Sequence, residues 1–401
     1  MRISFFADNF YPELSGIPDS ILITGKELVQ RGHQVCYVAP HYGARDYEVV
    51  ARALPQRPEY LEGMPVFRLP SIPLLRSPTG QSRIALPTGR SFSFLHAFKP
   101  DILHTHSPYG AGLEALRAAK MLRVPLVGTN HTPVEEFYRF APNIARRLDA
   151  WYYNHCALIT TPYQGLVSRM QEKGFKRPGR AMPNPLELSL FYPARNEEER
   201  EHLRAEMGLS GPVVIYSGRL ASEKRVDVLL HAIKLLVPKF PSLTLLVTGL
   251  GIEAHSLHTL AQELDIEGRV RFTGFVPQDE LARYYRAADV FAIMSTADSQ
   301  SLSLMQAYAT GIPAVCADSR GLHDYTPSDC GFLVEPGNHH TLAGKLKLLL
   351  NDSALRERMG KAAATFVKTF SPEKIVTEWE KIYRDAIVRN LSLKTASVQS
   401  G

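Results

Sequence analysis

Short apolar strands alternate with helical segments along almost the whole chain. That alternation admits few folds besides parallel sheets covered by helices. In the first half, strand patterns fall near 2–7, 34–39, 101–105, 125–129 and 157–161, and helical periodicity near 19–31, 110–122, 143–154 and 163–173. The alternation breaks at Pro183-Asn184-Pro185, through Phe191-Tyr192-Pro193, and then starts again. Proline punctuation between two alternating blocks is a linker signal. Beyond a charged helix at Asn196-Glu197-Glu198-Glu199, strands are expected near 213–217, 243–248, 270–273, 290–294 and 313–316. Helices are expected near 225–237, 254–264, 279–287, 302–310, 339–350 and 353–368. The expectation is two doubly wound α/β domains, 1–185 and 194–371, facing each other across a deep cleft. A last helix, about 372–392, is expected to pack back on the first domain. The Pro- and Arg-rich stretch 41–92 reads as irregular hairpin-like structure or loop rather than a third domain.

A length of 401 residues suits two domains of this kind. No apolar run reaches the roughly 18–20 residues of a bilayer span. The start, Met1-Arg2-Ile3-Ser4-Phe5-Phe6-Ala7-Asp8, reads as a strand and not a signal peptide, because Asp8 cuts the apolar run short. Cys36, Cys156, Cys316 and Cys330 have neither zinc nor redox spacing and read as reduced thiols of a cytoplasmic protein. The net charge of +6 is uneven. Residues 1–191 hold 22 Lys and Arg against 15 Asp and Glu, and the remainder 24 against 25. The first half is therefore the one expected to meet an anionic partner, a membrane surface or nucleic acid, and no recognised nucleic-acid-binding module accompanies it.

Two segments carry the chemistry. Ser217-Gly218-Arg219-Leu220-Ala221-Ser222-Glu223-Lys224 follows a buried strand and is expected to open a helix. Its glycine permits close backbone approach, and its two cations suit a diphosphate at a helix N-terminus. The second, Ala297-Asp298-Ser299-Gln300-Ser301-Leu302, is a small polar run at another strand-to-helix turn, suited to anions and hydroxyls. Asp298 also fits a plain helix N-cap there. No Gly-x-Gly-x-x-Gly follows either domain's first strand, which disfavours a nicotinamide dehydrogenase.

Together with Phe272-Thr273-Gly274-Phe275-Val276-Pro277, Ala287-Ala288-Asp289-Val290-Phe291, Asp101-Ile102-Leu103-His104-Thr105-His106 and Gly128-Thr129-Asn130-His131-Thr132, these motifs stand in an order that resembles the family 4 retaining glycosyltransferases. The resemblance covers nearly the whole chain and implies the GT-B fold, two Rossmann-like domains. It implies that Arg219 and Lys224 hold the donor diphosphate and that Phe275 and Val276 line the nucleobase. Gly16, in Glu13-Leu14-Ser15-Gly16-Ile17, would approach the donor phosphate, and His131 would stand near the reacting sugar. Ser299, Gln300, Ser301 and Leu302 would present backbone groups to sugar and phosphate. The family's two glutamates, seven residues apart, are here Asp298 and Gln306. Gln306 keeps hydrogen bonding to ribose but loses the charge.

The implied reaction transfers a hexose from a nucleotide sugar, UDP-sugar favoured, with His131, Arg219, Lys224 and Asp298 as its catalytic set. No Asp-x-Asp metal signature appears, and no metal or other cofactor is expected. Arginines and aromatic residues intermix over 133–140 and 146–153, a composition suited to a helix lying on anionic lipid. The region 128–162 is similar to glycosyltransferases that glucosylate diacylglycerol. A peripheral enzyme at the inner face of the membrane, acting on such a lipid, is therefore expected. The alternatives are a soluble sugar or inositol phosphate acceptor, or a degenerate nucleotide-sugar-binding protein; a nucleotide-sugar epimerase shares the two-domain architecture but is disfavoured by the order of the motifs.

Overall fold

Strands covered on both faces must be apolar on both faces, and each sheet is built around such a strand. In the computed structural model these are Arg2–Phe6 (β1) and, later, Val213–Ser217. The structure describes the chain except residues 14, 15, 49–52, 57, 75–80, 132–141, 188, 400 and 401, and side chains except at 142–146 and 391–399. Two compact units result, Met1–Pro185 with Pro372–Gly401, and Leu186–Ser371.

In the first unit, helix Gly16–Gln30 (α1) returns the chain to Gln34–Pro40 (β2), parallel to β1. The stretch expected to be irregular contains more order than its composition announces. A short helix, Ala44–Glu48 (α2), precedes an antiparallel hairpin, Glu59–Leu61 (β3) and Met64–Leu69 (β4). β4 then joins the main sheet parallel to β2. Ser71–Pro73 (β5) and Arg83–Ala85 (β6) pair separately, and helix Ser91–Phe98 (α3) follows. The buried ion pair Arg68–Glu59, at 2.6 Å, ties the hairpin together.

Regular alternation resumes with Ile102–Thr105 (β7), Gly110–Leu122 (α4), Leu126–Thr129 (β8) and Pro142–Asn154 (α5). Leu158–Thr161 (β9), Gln164–Glu172 (α6) and an edge strand absent from the sequence reading, Gly179–Ala181 (β10), complete it. The sheet order is β10-β9-β8-β7-β1-β2-β4-β3. The chain's last helix, Pro372–Gln399, belongs to this unit. Trp379 and Tyr383 are buried on it, and Glu380 accepts from His33 at 2.7 Å.

The second unit begins at Leu186, ahead of the expected 194, because the Leu186 N–H donates to Phe370 O at 2.9 Å and Tyr192 lies under Arg286. Helix Glu197–Glu206 (α7) leads to Val213–Ser217 (β11), Val226–Leu236 (α8), Thr244–Thr248 (β12), Ala254–Glu263 (α9) and Val270–Gly274 (β13). Gln278–Ala287 (α10), Val290–Ile293 (β14), Leu302–Ala309 (α11) and Ala314–Ala317 (β15) come next. Arg320–Asp324 (α12), Gly331–Val334 (β16), His339–Asn351 (α13) and Ser353–Val367 (α14) close the unit, so that the Pro372–Gln399 helix is α15.

All six strands are parallel, in the order β13-β12-β11-β14-β15-β16. Both sheets thus reverse direction beside their first strand, at β1/β7 and at β11/β14, and such switch points are where open α/β sheets bind ligands. The loops leaving β11, β12 and β13 are joined by main chain: Gly218 N–H donates to Thr248 O, Leu220 N–H to Leu250 O and Gly249 N–H to Gly274 O. Gly249 sits at φ +127°, and a Cβ there would lie 2.0 Å from Gly218 O. Gly249→Ala is therefore expected to lower the stability of the second unit by more than ~3 kcal/mol in urea unfolding followed by circular dichroism. Gly268→Ala, in open space, should leave it unchanged.

Candidate active site

The loop after β11 departs from the expected helix opening. Ser222–Lys224 forms a single 3₁₀ turn, Arg225 is left-handed at φ +50°, and α8 begins only at Val226. Arg219 and Lys224 therefore lie on a strand-end loop and not on the first turn of α8. Lys224 Nζ donates to both oxygens of Asp298, at 3.0 and 2.8 Å, and both side chains are only 14% exposed. Arg219 is more open and pairs with Glu223 at 3.4 Å. The fold thus places each candidate phosphate-binding cation beside its own carboxylate. The Tyr216 hydroxyl donates to Arg219 O at 2.8 Å and fixes the loop's main chain.

Asp298 follows β14 at the same switch point. Burial pushes its carboxyl up, but the Lys224 charge and hydrogen bond, with Ser295 and Arg219, outweigh that and hold it below the usual carboxylate value. It is not the N-cap of α11. Ser301 is, its Oγ accepting from Leu304 N–H at 3.3 Å. Gly321 locks the loop from behind: its N–H donates to Asp298 O, and a Cβ there would fall 1.6 Å from Ser299 O. Ser299 and Gln300 lie on this loop, Ser301 and Leu302 start the helix, and Gln306 lies one turn further on. Gln306 Nε2 donates to Gln278 Oε1 at 3.1 Å, bridging α11 to the start of α10.

Phe275 and Val276 occupy the turn between β13 and α10, with Phe275 67% exposed. Leu250 and Ile252, on the neighbouring loop after β12, are also exposed, and Leu250 Cδ2 comes within 3.7 Å of a Cβ placed on Gly274. Through the Leu220 N–H to Leu250 O bond, this apolar ledge adjoins the loop that carries Arg219. Cations, a hydroxyl-rich loop and an apolar ledge together suit a phosphorylated ligand with a flat aromatic group.

In the first unit the switch point is buried and polar. Asp8, after β1, accepts from Ala85 N–H at 2.9 Å, from Ala111 N–H and from Ser107 Oγ at 2.6 Å, tying β1 to β6 and to the first turn of α4. Burial raises its pKa, and burial likewise raises that of Glu13, which accepts from Ser82 at 2.8 Å. His104 is held at both nitrogens, by Tyr383 Oη at 2.9 Å and Thr129 Oγ1 at 2.7 Å. His131, at the end of β8, has its Nε2 2.9 Å from His106 Nδ1. Burial pushes His131 down to about 4, and burial with mutual repulsion lowers His104 and His106 well below the ordinary value. All three are neutral at pH 7.

The second unit alone gathers Arg219, Lys224, Asp298, Ser299, Gln300, Ser301, Leu302, Gln306, Phe275 and Val276; Gly16, the first residue of α1, and His131 belong to the first. Sequence reasoning missed Glu223 and His106 as parts of the site. Both had signals: Glu223 stands four residues after Arg219, and His106 shares a strand face with His104 at a spacing of two. The aromatic and basic residues of 133–140 lie outside the described residues. Among the described residues, no cluster of three or more His, Cys, Asp or Glu is arranged to hold a metal ion, and no helix is long and apolar enough to cross a membrane.

Two Rossmann-like units with these strand-end loops define the GT-B fold. Anabaena HepE in complex with UDP superposes with a TM-score of 0.79 at 19% identity, covering 96% of this chain and 100% of that one. Residues 197–366 match the family described as Glycosyl transferases group 1, and residues 15–190 match Glycosyltransferase Family 4. The D-inositol 3-phosphate glycosyltransferase of Corynebacterium aurimucosum is 30% identical over 76% of this chain and 77% of that protein. The alpha-monoglucosyldiacylglycerol synthase of Streptococcus pneumoniae is 25% identical over 97% of this chain and 87% of that protein. The chain belongs to the family 4 glycosyltransferases.

Two outcomes follow from the electrostatics. In the unfolded chain the three histidines titrate near 6.5, so below that pH the unfolded state binds more protons and stability falls toward the depressed folded values. The loss is up to about 1.4 kcal/mol per pH unit for each histidine. The raised carboxyls of Asp8 and Glu13 act in the opposite sense and reduce the net slope. Both tryptophans, Trp151 and Trp379, lie in the first unit, so their fluorescence in urea should report a midpoint that drops from pH 6.5 to 4, less steeply in His131→Gln. Separately, Asp298→Asn leaves a largely buried ammonium unpaired. It should lower the second unit's stability by about 3 kcal/mol, with added pyrophosphate restoring more of the thermal midpoint than it adds to the unaltered protein.

Proposed function

We propose that this glycosyltransferase moves a hexose from a nucleotide sugar, a UDP-sugar by preference, to a membrane lipid of the diacylglycerol type. It does so with retention of configuration, without a metal ion, while bound peripherally to the cytoplasmic face of the membrane. Lys224 and Arg219 exchange their carboxylate partners for the donor diphosphate and neutralise the charge that grows as the glycosidic bond breaks. Phe275 and Val276 support the nucleobase, Gln306 bonds the ribose, and Asp298 with residues 299–302 orients the sugar. Gly16 and His131 act from the first unit, on donor phosphate and sugar. The acceptor oxygen bonds to the anomeric carbon on the face from which the diphosphate leaves. The diphosphate keeps the electron pair of the broken bond and takes the acceptor's proton.

The observation that carries the lipid acceptor is the exposed face of α5. Leu148 and Trp151 are 60% and 49% exposed there beside an exposed Arg147, while the neighbouring Tyr152 and Tyr153 are buried. Apolar and basic groups on one helix face suit the boundary between headgroups and acyl chains. The name of the Streptococcus pneumoniae relative supports the same acceptor class. That of the Corynebacterium aurimucosum relative supports a second reading, an inositol phosphate acceptor.

One assay separates the two. Labelled UDP-glucose and GDP-mannose are offered with diacylglycerol in anionic or neutral vesicles, or with inositol 3-phosphate, each with and without EDTA. The expected result is label in lipid from the UDP-sugar, faster on anionic vesicles at low salt, indifferent to EDTA, with an α-linked product by NMR. Label in inositol phosphate alone overturns the lipid acceptor, and loss of turnover with EDTA overturns metal independence.

A further inference from the structure

His106 follows β7 on the same strand face as His104, and its ring lies against that of His104, with centroids 4.2 Å apart. It also packs against Phe5 and lies nearly parallel to His131, at 17° between ring planes. Its Nδ1 is 2.9 Å from His131 Nε2, while its own Nε2 is buried without a hydrogen-bond partner among the described residues. Both rings are neutral at pH 7 because burial lowers their pKa.

A bond between two neutral imidazoles needs one N–H and one lone pair, so only two proton arrangements exist. If His131 Nε2–H donates, His106 Nδ1 is the acceptor and its Nε2 must carry a proton. That leaves a buried N–H with no acceptor. If His106 Nδ1–H donates, its Nε2 is a bare lone pair. Orphaned buried donors are rarer than under-used acceptors, which selects the second arrangement. His131 Nε2 is then occupied as an acceptor, and its proton resides on Nδ1.

We propose that His106 is a positioning residue that locks His131 in the Nδ1–H tautomer, so that His131 acts as a hydrogen-bond donor and never as a base. With one nitrogen protonated and the other already accepting, His131 has no lone pair for a substrate proton. Deprotonation of an acceptor hydroxyl therefore falls to another group. The catalytic consequence rests on the proposed function, in which His131 meets the reacting sugar; the lock itself does not.

The test is a two-bond ¹H–¹⁵N correlation spectrum of the full chain with ¹⁵N-labelled histidine, without substrate, at pH 7.5. His131 is assigned by its loss in His131→Gln. The unaltered protein should show His131 protonated at Nδ1 with a bare Nε2. His106→Asn, whose amide N–H replaces the Nδ1 donor, should keep that pattern, and His106→Leu should release it to a mixture. In hexosyl transfer, His106→Leu should lose about tenfold in kcat, with KM for the nucleotide sugar within about twofold, and His106→Asn should recover most of it. A His131 protonated at Nε2 in the unaltered protein overturns the proposal, and this reading stands even where His106→Leu fails to fold. A tautomer unchanged in His106→Leu overturns it as well. The expected tautomers with an unchanged kcat in His106→Leu uphold the lock and refute the sugar contact of His131.

Discussion

The reversal of strand order beside β1 and beside β11 is the constraint on which the remaining structure depends. Connections leaving either side of those strands run to opposite edges of the sheet, and the carboxyl ends are left without a covering crossover. Polar groups collect there because the strands themselves, apolar on both faces, have no room for them. In the second unit every chemistry-bearing side chain but Gln306 lies on, or adjoins, a loop that leaves a strand. The main-chain bonds between the loops after β11, β12 and β13 fix that end as a single surface.

The two switch points handle charge in opposite ways. In the second unit a cation is buried beside its own counter-ion, Lys224 on Asp298, so neither charge is left uncompensated while no phosphate is bound. In the first unit burial keeps the histidines uncharged. His104, His106 and His131 stay neutral, and Asp8 is saturated by backbone and hydroxyl donors that also cap the start of α4.

Legibility in the sequence followed the range of the interaction. Helices such as Gly110–Leu122 and strands such as Val213–Ser217 stood out because their apolar spacing is local. The place of β4 in the main sheet, the edge strand β10 and the last strand β16 did not, since each is short and pairs with a strand well removed in sequence. At the candidate site the residue types and their loops were legible. Their pairing was not. Asp298 fitted an N-cap by spacing, yet Ser301 took that role because the chain turns only after it, leaving Asp298 to face Lys224.

The sequence by itself determined two parallel α/β domains, the family, and the loops on which the candidate site residues stand. Periodicity, punctuation and motif order are one-dimensional quantities, and they are sufficient for that. Only the tertiary structure decided that Lys224 is held by a carboxylate 74 residues away, and that His131 is hydrogen-bonded to a histidine 25 residues before it. Those contacts depend on which strands lie side by side and on where each loop leaves the sheet. The free energy that sets this is summed over the whole core, and no local stretch of sequence carries it.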